Sequence, residues 1–355
     1  MAHNTPHIPL ETLALRFQRF AEQEAEPGFS PFYTRLCRGI ASDSQVLALA
    51  AETPAGQPAP NLLLAAVHYL LLKGVQHPLA AFYPSLTNPP DPADAYPAFQ
   101  TFCLEYASDI HELLLSRRVQ TNEVARSACL LPAFELVARQ TARAPLSLIE
   151  IGASAGLNLL WDRYGYDYGN GQQYGVLDSP LQIPCALRGD VLPPFPSRPP
   201  DVALRVGIDL NPVDVEDADA VLWLRALIWP EHHERVSRLN QALDIARAHP
   251  PEVIAGDALR LLPEVAARAA AETSLCIFHS MATNQFSREQ RERLTTLLLE
   301  FSRQRPLFRI SFEKHAGAEH TQLHLLSYVQ GSKTEHLLAH CSAHGRWLEW
   351  LAKES

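Results

Sequence analysis

The stretch Leu146 to Trp161, Leu-Ser-Leu-Ile-Glu-Ile-Gly-Ala-Ser-Ala-Gly-Leu-Asn-Leu-Leu-Trp, constrains the fold more than any other. Its first half is a short apolar run of buried-strand composition. Small residues between Gly152 and Gly156 then make a turn, and a helix follows. Glu150 therefore falls at the carboxyl end of a strand. In an open α/β sheet, ligands bind outside the carboxyl ends of the strands, where helix N-termini offer unpaired N–H groups, so a crevice is expected here.

Upstream, residues 9 to about 140 carry helical spacing without a strand-period interruption. Helices are expected from Leu13, over Pro31 to Ile40, Ser44 to Ala51, Leu62 to Leu72 and about Ala95 to Arg117. A last one, Glu123 to Arg139, would be capped by Thr121 or Asn122. Downstream of Leu146, strands and helices alternate, the signature of a parallel sheet with helices on its faces. The next strands are Val202 to Ile208, ending at Asp209, then Glu252 to Gly256, ending at Asp257, and Leu275 to His279. Strands Leu307 to Phe312, Gln322 to Val329 and Glu335 to Cys341 follow, and Ser287 with Gln290 makes a capping-box pattern for an intervening helix. The expected class is α/β with a mostly parallel sheet. A helical N-terminal domain covers 1–143 and caps the substrate side; the α/β domain covers 144–355. Glycines among tyrosines from Tyr164 to Gly175 and a proline-rich loop predict a β-hairpin insertion at about 164–200.

A formal charge of -9 without a Lys/Arg block argues against nucleic acid or an anionic membrane as partner. A small-molecule substrate is expected instead, and a homodimer is left open. The apolar run Asn61 to Leu72 falls short of the ~20 residues a bilayer span needs. The six cysteines include no Cys-x-x-Cys pair, and the first nine residues do not read as a signal peptide, so a cytoplasmic protein with reduced thiols is expected.

Three successive strands end in an acid: Glu150, Asp209 and Asp257. A strand-end acid can accept hydrogen bonds from a ribose diol or an adenine amine, and glycines at 152 and 156 allow close approach. The order Glu150-Ile-Gly-Ala-Ser-Ala-Gly156, Gly207-Ile-Asp-Leu-Asn-Pro212, Ala255-Gly-Asp-Ala258 resembles class I S-adenosylmethionine-dependent methyltransferases. The resemblance covers roughly 146–330 and implies a Rossmann-like, methyltransferase-type sheet with S-adenosylmethionine as cofactor. It places Glu150, Gly152, Ala153, Ser154, Gly156 and Asn158 around the methionine end, Asp209 and Leu210 at the ribose, and Asp257 and Ala258 at the adenine. The Tyr/Gly insertion before the second acid departs from that pattern. The wordings Gln120-Thr-Asn-Glu123, Trp161-Asp-Arg-Tyr-Gly165 and His344-Gly-Arg-Trp-Leu-Glu-Trp350 are also similar to an uncharacterised bacterial family known only as a domain of unknown function. That likeness implies no reaction.

At the fourth strand end, His279 is the candidate general base, with Ser280 and Asn284 orienting a nucleophile and Arg163 meeting a substrate carboxylate. Each residue also has a structural alternative: Asp209 and Asp257 as caps, His279 as a satisfied core histidine, Arg163 as a surface ion pair. Two other functions stay open. Gly152-Ala-Ser-Ala-Gly156 spells the α/β-hydrolase elbow around Ser154, although no strand precedes it, and the domain can equally bind a nucleotide or partner without turnover. The histidines between His315 and His344 form no evident ligand set, so no metal is expected.

Overall fold

The computed structural model describes residues 8–91, 93–120 and 122–352. The chain runs through helices α1 (Leu10–Phe20), α2 (Pro31–Ile40), α3 (Ser44–Ala50), α4 (Ala59–Leu72), α5 (Tyr96–Glu105), α6 (Ala107–Ser116) and α7 (Arg126–Gln140) before its first strand. The long helix expected over Ala95 to Arg117 is two helices, because Tyr106 leaves helical geometry at ψ 26°. Strand β1 (Leu146–Ile151) leads through the small-residue turn to a short 3-10 helix, Leu157–Arg163. Four three-residue strands follow: β2 (Gly165–Asp167), β3 (Gln173–Gly175), β4 (Gln182–Pro184) and β5 (Ala186–Arg188). The remainder is β6 (Val202–Asp209), α8 (Ala218–Ala226), α9 (His233–Ala248), β7 (Glu252–Ala255), α10 (Ala258–Ala267), β8 (Ser274–Ser280), α11 (Arg288–Phe301), β9 (Leu307–Glu313), β10 (Thr321–Val329), β11 (Ser332–Cys341) and β12 (Trp347–Trp350).

Two compact units result. One comprises Met1–Thr121 with Asp217–Ser237, and the other Asn122–Glu216 with Arg238–Ser355. The first carries helices and no strand among the described residues. Its core is built on α1, α2 and the nearly all-apolar α4, and it takes in Trp223 and Ala226 of α8. The division falls before α7, not at 143/144. Phe134 of α7 stacks on Trp161 with ring centroids 4.4 Å apart and meets Phe278 of β8 edge-on at 5.2 Å, so this helix belongs with the sheet.

The second unit is α/β, with a nine-stranded sheet in the order β5-β12-β11-β10-β9-β8-β1-β6-β7. Five of its eight neighbouring pairs are parallel and three, among β9 to β12, are antiparallel. β2 and β3 form the hairpin expected from the tyrosine and glycine pattern, and β4 joins it in a separate small sheet. Strand order reverses between β1 and β8, the switch point where open sheets bind ligands.

Alternation along the strands then sorts the side chains by face. Ile149, Ile151 and Ile277 enter a core with α10 and α11. Glu150 sits opposite Phe278 in register, so both belong to the face that α7 covers. Phe134 is fully buried at this contact. Phe134→Ala is expected to cost about 3–5 kcal/mol, the range for a buried aromatic removed from a core. Chemical denaturation checks this; a loss below about 1 kcal/mol would mean that α7 is not anchored through this ring.

Candidate functional site

The turn after β1 is held from several sides. Gly152 and Gly156 adopt φ of 76° and 70°, and a Cβ on Gly152 would come within 2.5 Å of the Ala282 methyl. One on Gly156 would strike Pro251 at 2.7 Å. Both glycines are thus required by backbone conformation and by close packing. Ser154 also has positive φ, 52°, a strained geometry for a residue with a Cβ. Side chains hold it there: its N–H donates to Asp209 Oδ2 at 2.8 Å, while the Asn122 amide donates to Ser154 Oγ at 2.7 Å and accepts from the Ala155 N–H at 3.1 Å. Asn122 therefore does not cap α7, as expected from sequence; it clamps the turn. Thr121, the other expected cap, lies outside the described residues.

Below the turn lies a buried polar cluster. Glu150 is 1% exposed. One of its oxygens accepts a long 3.5 Å bond from Asn158 Nδ2, and the other, Oε2, has no hydrogen-bond partner. Burial, reinforced by the charge of Asp209, pushes its carboxyl well above the ordinary range. Asn158 Oδ1 in turn accepts from Ser127 Oγ at 3.0 Å. Arg126 donates to Ser280 through its carbonyl at 3.2 Å and Oγ at 3.4 Å, and to the Ala343 carbonyl at 3.0 Å. Glu123 and His344 approach to 3.3 Å, and a Cβ on Gly345 would come within 2.1 Å of the Ala125 carbonyl. Three separated stretches, at 122–127, 150–158 and 342–345, are therefore packed together.

The other strand-end residues divide. Asp209 Oδ1 accepts from its neighbour Asn211 N–H at 2.8 Å, so both carboxylate oxygens serve the local turns, while Leu210 beside it is 71% exposed. Asp257 caps α10 through Oδ1 to the Leu259 N–H at 2.8 Å, the structural role open to it from sequence, and Ala258 packs into the core.

His279 does not join Glu150. It pairs in register with Ile151, so it points to the opposite face, and it is fully buried. Its Nδ1–H donates to Glu313 Oε1 at 2.6 Å and its Nε2 accepts from Arg309 Nε at 2.9 Å. A base needs a free lone pair at the reacting proton. Here the lone pair is taken by an arginine, and burial with Arg309 lowers the imidazole pKa, so the ring holds a loop instead. Glu313, which the sequence reading missed, is the hub: Oε1 also accepts from the N–H groups of Ala282 and Thr283, each at 3.0 Å, and Oε2 from that of Asn284 at 3.3 Å. Asn284 is engaged through its backbone and its side chain is exposed. Burial would raise the Glu313 carboxyl, but the His279 hydrogen bond and these N–H groups bring it below the usual range.

Arg163 is not at this edge either. The 3-10 helix runs back along the sheet, and its Asp162 makes a bidentate pair with Arg205, which sits opposite Leu148 near the start of β1. Among the described residues no group of three His, Cys, Asp or Glu is arranged to hold a metal ion. No helix there is long and apolar enough to cross a membrane.

A family model described as an uncharacterized protein conserved in bacteria (DUF2332) matches residues 14–350. The chain belongs to that family. No curated protein and no solved structure matches it. The DUF2332 match spans all three of these packed stretches.

The His279–Glu313 pair makes a pH prediction. Both groups titrate below their ordinary values of 6.5 and 4.5, so the unfolded chain binds more protons as pH falls. Their contribution is full above about pH 6.5 and declines in acid. Glu313→Gln should lower stability by about 3–5 kcal/mol at pH 7, the cost of breaking a buried pair, and remove the part of the decline below about pH 4.5 that belongs to the carboxyl. Denaturant titrations at several pH values measure both; an unchanged slope would show the pair is not coupled to folding.

Proposed function

We propose that the chain is a methyltransferase-like enzyme that binds S-adenosylmethionine at the carboxyl edge of β1, β6 and β7. Glu150 carries this reading: it is a buried carboxyl at the strand-order reversal with one oxygen left unpartnered. Such a group is rare in a native interior and calls for a partner, here the ligand's ammonium. The second oxygen of Asp257 is bonded to nothing among the described residues, and Asp209 lies beside it, its carbonyl accepting from the Gly256 N–H at 2.8 Å. These acids suit a ligand with hydroxyl and amine donors at one end and positive charge at the other.

Bound there, S-adenosylmethionine supplies an electrophilic methyl group on a sulfonium. The chain's share of the work is to bind and orient, since His279 faces away and Ser280 shares the face of Glu150. Ser154-dependent hydrolysis is not favoured, because Oγ is taken by Asn122 and the nearest strand-end imidazole points to the opposite face.

Calorimetric titration with S-adenosylmethionine and S-adenosylhomocysteine tests the reading. Both are expected to bind, and Glu150→Gln should weaken binding about tenfold or more, the ~1.4 kcal/mol of a hydrogen bond to charge. No heat with either ligand on folded wild-type protein would overturn it. Binding without methyl transfer to any acceptor would leave a non-catalytic nucleotide-binding protein.

A further inference from the structure

A cleft of about 500 Å³ opens on the α/β unit away from the switch point. Arg163 ends the helix that returns along β1, and His249 precedes the parallel strand β7, so this cleft lies at the amino ends of the strands. Its volume falls in the ordinary range for small-molecule sites.

The charges around it reduce to one pair. Asp162 is already neutralised by Arg205, at 2.7 and 3.0 Å, and Asp244 faces Arg247 at 2.9 Å. Arg163 and Asp178 line the same cleft and make no hydrogen bond or ion pair among the described residues, with each other or with anything else. Arg163 Nε is buried without a partner, an expensive state for a guanidinium N–H. Ser179 Oγ accepts from the Leu181 N–H at 3.3 Å, which leaves its O–H to donate. Val176 and Ile245 add an apolar wall.

A lone guanidinium would attract any anion. An unpaired guanidinium and an unpaired carboxylate sharing an apolar-walled cleft select a molecule carrying both charges. We propose that this cleft binds a free α-amino acid with an aliphatic side chain, its carboxylate on Arg163 and Ser179 and its ammonium on Asp178. This site is independent of the cofactor reading.

The test titrates the full-length protein with L-leucine, isovalerate (carboxylate only) and isoamylamine (ammonium only), followed by ligand-observed NMR. Leucine should bind at least about tenfold more tightly than either analogue. Arg163→Gln should abolish binding of leucine and isovalerate, whereas Asp178→Asn should weaken leucine at least about fivefold and leave isovalerate unchanged. Circular dichroism melting confirms that both variants fold, and Glu150→Gln, which tests the cofactor site, should bind leucine like wild type. The proposal is overturned if leucine does not bind, if an analogue binds as tightly, or if Arg163→Gln retains wild-type affinity.

Discussion

The carboxyl edge of the sheet depends on keeping a carboxyl group in an apolar interior. Glu150 cannot escape to solvent, because its neighbours Ile149 and Ile151 are committed to the core on the other face, and a one-residue slip would exchange the two sets. Desolvation of a carboxylate costs several kcal/mol, so burial disfavours its charged form and pushes its pKa up. The start of α7 is shaped around it, with Ser127 orienting Asn158 and Arg126 bracing Ser280.

The same strand ends serve two purposes on two faces. On one, Glu313 gathers the His279 imidazole and successive N–H groups of the loop from Ala282, fixing that loop with one carboxylate. The loop then presents the Ala282 methyl to Gly152, where only a glycine fits. A carboxylate on β9 thereby sets the position of the turn after β1 through contacts alone, although it never touches Glu150. Charge-assisted bonds to backbone N–H groups suit this role, being short and directional.

Much of this was legible in the sequence, and the misses share a cause. The strand-turn sequence at Leu146 to Gly156, the alternation after it, the hairpin at Tyr164 to Gly175 and the Ser287–Gln290 capping box are local patterns, and each forms where expected. The three-residue β5 has no period to read, and it finds its place only by pairing with β12 from the far end of the chain. Glu313 and Arg309 alternate along β9 like ordinary solvent-facing residues. The burial of Glu313 follows from β8 and β10 on either side, which no local window contains. Asn122 is similar: its residue type suggests a helix cap, but a partner 32 residues away takes its amide. The face of His279 needed the β1–β8 register, which composition cannot supply.

The chemistry of the turn itself bears on what it can recognise. In a phosphate cradle, successive backbone N–H groups point at the ligand. Here the N–H of Gly152 goes to the Ile208 carbonyl, that of Ser154 to Asp209, that of Ala155 to Asn122 and that of Gly156 to the Ala153 carbonyl. Those four N–H groups are satisfied by protein groups, and the side chains around the turn, Glu150, Asp209 and Asp257, are acids. A pyrophosphate would meet three carboxyl groups at a turn where these four N–H groups are already taken. A ligand joining a nucleoside to a positively charged chain meets the opposite balance, and the proposed sulfonium nucleoside has that character.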